Sequence, residues 1–239
     1  MNKIIFLAAT IFFQTIILNA QKIVINDPNA DVRAVGNFLA INISGGINLY
    51  LSQGDEDGVA VSASEINYRQ HIKTSVENGV LKIWFQADRW KYRSGNQKMM
   101  AYVSFKSIRA LTASGASDIY VNAMIKADAL TLKLSGASDF KGTIETNKLI
   151  VEQSGASDAT VTGKASVLDI KASGASNFKG YNLETENCTA KASGASDIRI
   201  TVTKELYANA SGASSIFYKG SGVPKEIRAS GASNITKKM

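Results

Sequence analysis

One cysteine and one histidine stand in a chain of 239 residues. A single Cys188 excludes any intrachain disulfide, so stability has to come from packing. It falls in a column of apolar residues with Leu168 and Leu206 and reads as a small core hydrophobe rather than a reactive thiol. The lone His71 excludes His-rich metal sites and leaves a Ser-His-Asp triad without support. The chain also lacks a hydrophobic stretch beyond its first twenty residues, coiled-coil heptads, strands of membrane-barrel type, and any nucleic-acid recognition motif. It shows no helix-period pattern. These absences point away from metalloenzyme, triad hydrolase, transmembrane and nucleic-acid classes.

The first twenty residues read as a secretory signal peptide. Lys3 supplies the positive start, Ile4 to Leu18 is largely apolar, and Leu18-Asn19-Ala20 offers a cleavage site before Gln21. Thr10, Gln14 and Thr15 interrupt the run, which is short for a membrane span. No cysteine follows the site to carry a lipid. The formal charge of the whole chain is +7, with lysines such as Lys133, Lys171, Lys191, Lys141 and Lys179 on outward strand positions. Such a face is either simply a solvated surface that keeps the protein soluble or one that attracts anionic glycans or lipopolysaccharide.

The dominant feature is a tetrapeptide. Ser-Gly-Ala-Ser begins at residues 114, 135, 154, 173, 193, 211 and 230, at intervals of 21, 19, 19, 20, 18 and 19 residues. Near-constant spacing means one structural unit stacked along an axis. Three positions before the motif stand Leu111, Leu132, Val151, Ile170, Ala190, Ala208 and Ile227. The position between that column and the motif's next apolar neighbour is polar in all seven units, which is the alternation of a strand with one buried face. After the motif come Ile119, Phe140, Ala159, Phe178, Ile198, Ile216 and Ile235, then Val121, Gly142, Val161, Gly180, Ile200, Tyr218 and Lys237. Each Phe is followed by a Gly in the second column, as volume compensation in a packed core requires. The expected fold is all-β, a single-stranded parallel β-helix or β-solenoid of about seven rungs. Gly supplies a positive φ at the corner, the serines hydrogen-bond the turning backbone, and the Ala is expected to fill a corner with no room for more.

Residues 21–108 lack the repeat but remain strand-rich, with segments over 38–43, 47–52, 59–64, 72–76, 81–85 and 99–105. Asn78-Gly79 is a hairpin signal. The segment 109–239 is the repeat solenoid, and no linker separates the two parts.

The run Ile43-Ser44-Gly45-Gly46-Ile47-Asn48-Leu49-Tyr50, the segment Val76-Glu77-Asn78-Gly79-Val80-Leu81, and the downstream Ser-Gly-Ala-Ser-Asp repeats together resemble the putative auto-transporter adhesin, head GIN domain family over about residues 35–235. The resemblance implies an exported bacterial protein of the kind common in Bacteroidetes, a pectin-lyase-like β-helix, and a role in adhesion. No catalytic residue comes with it.

Two sets of side chains are candidates for function. Arg89, Trp90, Lys91, Tyr92 and Arg93 interleave aromatics with cations in a polar loop, suited to sugar faces and acidic glycan groups, or to a lid over one end of the solenoid. Trp84 is expected in the core. Asp118, Asp139 and Asp158 follow three successive corners and fall in one column. Either each carboxylate accepts hydrogen bonds from its own corner's backbone, or a Ca²⁺ ion bridges them; no other cofactor is expected. The leading function is an exported, non-enzymatic binding or adhesion module contacting cell-surface or extracellular glycans or proteins, in the periplasm, on the outer membrane or in the medium. The alternatives are a structural or envelope-stress-associated protein and, third, a carbohydrate-active enzyme. An oligomer is compatible with the sequence.

Overall fold

The computed structural model describes residues 27–86 and 98–239. In chain order the elements are β1 (Asp31–Arg33), β2 (Ala40–Ser44), β3 (Ile47–Gln53), β4 (Gly58–Ala63), α1 (Ile66–His71), β5 (Ile72–Glu77), β6 (Val80–Phe85), β7 (Met99–Phe105), β8 (Ala110–Ala113), β9 (Ile119–Leu134), β10 (Asp139–Gln153), β11 (Asp158–Ala172), β12 (Asn177–Ala192), β13 (Asp197–Ala210), β14 (Ser215–Lys219), β15 (Val223–Ala229) and β16 (Asn234–Lys237). From β8 onward, successive coils stack in parallel, making a β-solenoid of about seven turns. One continuous core runs its length from Phe38 to Ile216.

The tetrapeptide makes one corner of each coil. Its glycine takes a left-handed φ near +75°, as at Gly136 (+73°) and Gly155 (+75°). A Cβ on Gly136 would lie 2.5 Å from the carbonyl oxygen of Gly115 in the coil before, so both the backbone angle and the stacking demand glycine. The residue that fills the corner is the second serine, not the alanine. Ser117, Ser138, Ser157, Ser176, Ser196 and Ser214 are wholly buried, whereas the alanines are exposed. The reason is direction. The Ala methyl points to solvent while its N–H donates to the preceding coil's Gly carbonyl, at 2.7 Å from Ala137 to Gly115. At Ser176, Ser196 and Ser214 the buried hydroxyl returns to the first serine's carbonyl (2.9, 2.9 and 2.8 Å); those of Ser117 and Ser138 accept backbone N–H groups of a neighbouring coil, and that of Ser157 has no partner among the described residues.

The varying interval is absorbed at a second bend. Between the first two coils the register jumps between Lys141 and Thr143, where the partner strand spans Tyr120 to Met124. Two extra residues fit there, which is the difference between 21 and 19. The one-residue excess of β12 over β11 sits between Thr160 and Gly163. Insertions collect where the chain bulges outward because the flanking strand segments are locked by buried columns.

The N-terminal part contributes two further coils, stacked out of sequence order. β2 and β3 turn at Ser44-Gly45-Gly46 and lie directly on β8 and β9. β6 and β7 lie on the other side of β2 and β3. β4 and β5 then add antiparallel to β7 and β6, and the three-residue β1 adds to β4. Antiparallel strands and α1 thus cover that end of the solenoid, as an exposed parallel edge requires. The Asn78-Gly79 hairpin forms as expected, both residues having positive φ (52° and 73°). The helix α1 has no buried residue and no side-chain cap, so no apolar periodicity announces it. Trp84 departs from its core assignment. Leu81 and Ile83 take the inward positions of β6, and the two-residue period leaves Trp84 half-buried on the outer face.

At the other end β15 pairs with β13, and no described strand lies on its far side. Ile227, in the inward column, is 42% exposed there. Pro224, a bulge at Lys225 and the charges of Glu226 and Arg228 are the features that keep such an edge from recruiting strands at random.

Candidate binding face

The strands that follow the corners place one outward residue per coil in a single column. Register runs it as Tyr102, Tyr50, Tyr120, Lys141, Thr160, Lys179, Arg199, Phe217 and Thr236. Each tyrosine is flanked by inward residues, Leu49 and Leu51 around Tyr50, Ala101 and Val103 around Tyr102. The alternation therefore turns all three rings outward.

The three rings stack, with centroids 5.4 Å apart in both pairs and planes inclined by 20° and 21°. Their hydroxyls are anchored. Tyr102 donates to Asp27 at 2.9 Å and Tyr120 to Asp118 at 3.2 Å. Burial, reinforced by the Asp27 bond, pushes the Tyr102 phenol up to about 12. Tyr120 is raised by burial and then by Asp118. Both phenols stay neutral donors at physiological pH.

The stack ends at Tyr120, because the next coil offers Lys141 in the column and Gly142 beside it. Tyr120 and Tyr50 border a groove of about 420 Å³, which Val121, Asn122, Lys141, Gly142, Thr143, Thr160 and Thr162 complete. Thr143 and Thr162 share a 2.8 Å hydrogen bond between their hydroxyls. Lys141 forms no ion pair with a described residue, whereas the cations further along its column do: Lys179 with Asp158 at 2.6 Å and Arg199 with Asp197 at 3.0 Å. One aromatic face, several hydroxyls, an amide and a free ammonium converge on a space of small-molecule size. That combination has the chemistry a polyhydroxylated ligand requires, an aromatic face for apolar ring hydrogens and a polar rim for hydroxyls.

Beside this column run Asp118, Asp139 and Asp158, in register from coil to coil. Their carboxylates bond differently from the expectation. Asp118 accepts the N–H of Asp139 at 3.1 Å, and Asp139 accepts the N–H of Asp158 at 3.2 Å. The donor is the next coil's backbone rather than the residue's own corner, because stacking brings that N–H within reach. Asp158 accepts from the side chains of Asn177 (2.8 Å) and Lys179 (2.6 Å). Burial raises the Asp139 carboxyl, with Asp118 and Asp158 adding to the rise. Burial works in the same sense on Asp158, but the bonds from Lys179 and Asn177 outweigh it and hold that group below the usual carboxylate range. Among the described residues, no group of three or more His, Cys, Asp or Glu side chains is arranged to hold a metal ion. Cys188 is buried, and desolvation pushes its thiol far up, so it is no nucleophile. Arg89, Trp90, Lys91, Tyr92 and Arg93 lie outside the described residues, between β6 and β7 in sequence.

Sequence reasoning passed over the tyrosines because only Tyr120 falls in the tetrapeptide register, while Tyr50 and Tyr102 come from two segments outside it. The shared signal was an apolar residue on each side of each Tyr.

The family described as "Putative auto-transporter adhesin, head GIN domain" matches residues 37–222. No curated protein sequence matches the chain. Similar solved structures include a putative adhesin from Bacteroides fragilis at 21% identity and TM-score 0.79, covering 87% of this chain and 96% of that one. A putative adhesin from Parabacteroides distasonis has 20% identity and TM-score 0.65, with coverage of 87% and 96%. A putative lipid binding protein from the same species has 18% identity and TM-score 0.62, with coverage of 88% and 98%. At these identities the likeness is one of fold. No helix among the described residues is long and apolar enough to cross a membrane.

Proposed function

The chain belongs to the auto-transporter adhesin, head GIN domain family, and from that premise we propose that it is an exported, non-catalytic adhesion module that binds a glycan in the groove beside Tyr120. The observation that carries the reading is the end of the tyrosine stack, a ring bordering a groove of about 420 Å³ rimmed with hydroxyls. Adhesin-type relatives agree with a binding role. Export places the module in the periplasm, on the outer membrane or in the medium.

The test is a glycan array followed by titration calorimetry on the best ligand. Replacing Tyr120 by Ala is expected to weaken binding more than about tenfold, as loss of a central aromatic anchor does, while the melting temperature changes little. Unchanged affinity in Tyr120→Ala, with binding lost instead in a Trp90→Ala/Tyr92→Ala variant, moves the site to the segment 89–93. Silence across the array favours a structural role through protein contacts.

In this reading the aspartate column needs no cation, because backbone and side-chain donors already engage the carboxylates. Stripping metal with a chelator and adding millimolar Ca²⁺ is expected to leave the melting temperature unchanged. A calcium-dependent rise, abolished in Asp139→Asn, would assign a bridging ion.

A further inference from the structure

The net charge is not spread along the rod. Residues 110–214 carry ten cations against eleven acids, a formal −1, whereas residues 215–239 carry Lys219, Lys225, Arg228, Lys237 and Lys238 against the single acid Glu226, a formal +4. Lys219, Lys237 and Lys238 form no ion pair with a described residue. Two of them sit over aromatic rings, Lys219 at 4.9 Å from the Tyr181 centroid and Lys238 at 4.8 Å from that of Phe217. Arg199 approaches Phe217 as well, at 5.6 Å. The coil of Lys219 also exposes apolar side chains: Val223 is 56% and Ile227 42% exposed.

We propose that this last coil docks the protein on an anionic phospholipid surface. Unpaired lysines are attracted to headgroup phosphates. Aromatic rings between cations suit the boundary of water and acyl chain. Exposed Val223 and Ile227 gain by leaving water, which a soluble polyanion does not offer them. Lys219, Val223 and Ile227 lie on one coil, and Lys237 and Lys238 follow its closing corner on the strand stacked against β14, so charge and apolar groups share one end of the solenoid. The coil is separate from the Tyr120 groove, and docking leaves that groove open.

The experiment is co-sedimentation of the purified chain with phosphatidylcholine vesicles, with and without phosphatidylglycerol, and with heparin as a soluble polyanion for comparison. The protein is expected to sediment only with the phosphatidylglycerol vesicles, less so as salt rises. The Lys219→Gln/Lys237→Gln/Lys238→Gln variant is expected to bind roughly a hundredfold more weakly, about fivefold per lysine. The corresponding Arg triple variant, which keeps charge and ring contacts, is expected to bind normally and shows that the positions tolerate change. Val223→Ser/Ile227→Ser is expected to weaken vesicle binding but not heparin binding. Tyr120→Ala is expected to leave vesicle binding intact, so this proposal and the glycan reading fail separately. No sedimentation with phosphatidylglycerol vesicles overturns the proposal, as does full retention by the Gln variant. Heparin binding with no effect of Val223→Ser/Ile227→Ser on vesicles also overturns it, in favour of an acidic glycan.

Discussion

Valine in place of Gly155 is expected to remove about 3–5 kcal/mol of folding stability, enough to unfold much of the population near physiological temperature. Two costs combine. Gly155 has φ +75°, and a residue with a Cβ in that region costs about 1–2 kcal/mol. The added Cβ would also sit 2.9 Å from the nitrogen and 3.1 Å from the Cα of Gly136, and closer still to its carbonyl oxygen. Those atoms are backbone, held by the hydrogen bond from Ala156 to Gly136 at 2.8 Å, so they cannot yield without parting two coils. The neighbouring Ala156→Ser is the control. Its methyl faces solvent, and a change within about 0.5 kcal/mol is expected. Urea denaturation of the two variants reads the contrast. A Gly155→Val protein as stable as the parent would mean that the corners do not stack as described.

A second large effect is expected in the core. Phe178 is fully buried, and its ring lies over Gly180 where a Cβ would collide with it. Phe178→Ala alone is expected to cost about 3–5 kcal/mol through lost burial and a cavity. Gly180→Val alone is expected to cost about 1–3 kcal/mol through overpacking. Together they should cost clearly less than the sum, with a coupling of about 2 kcal/mol, because the valine fills the space the ring leaves. The preceding coil already uses that solution, with Ala159 in register with Phe178 and Val161 buried two residues on. Additive costs in the double-mutant cycle would show that the two positions do not share volume.

Most of the solenoid was legible before any coordinates. The repeat gave the coil length, the alternation around Leu132, Val151 and Ile170 marked the buried strand face, and the Phe-to-Gly pairing anticipated a contact the structure shows. These readings succeed because each depends on residues a few positions apart or on one recurring interval. The alanine of the corner was misread for a related reason. Its small size suited a tight space, but only backbone direction tells which of two small side chains, Ala137 or Ser138, points inward.

The binding face was less legible. Tyr50, Tyr102 and Tyr120 are visible as outward residues, yet nothing in their spacing makes them neighbours. They become neighbours because β6 and β7 pass to the far side of β2 and β3, so that the ring of Tyr50 lies between the other two. The same holds for the charge of the last coil. Its five cations can be counted from the sequence, but which of them remain unpaired depends on the partners that stacking supplies.

By itself, then, the sequence determined the coil, its corner glycines, its buried columns and its family, all of which follow from local backbone preference and one repeated period. Tertiary structure alone decided the order in which the N-terminal coils stack, and with it the tyrosine ladder and its groove. Strand pairing over long separations is chosen by the total fit of buried columns and hydrogen-bond ladders, and neither is expressed in any short stretch of residues.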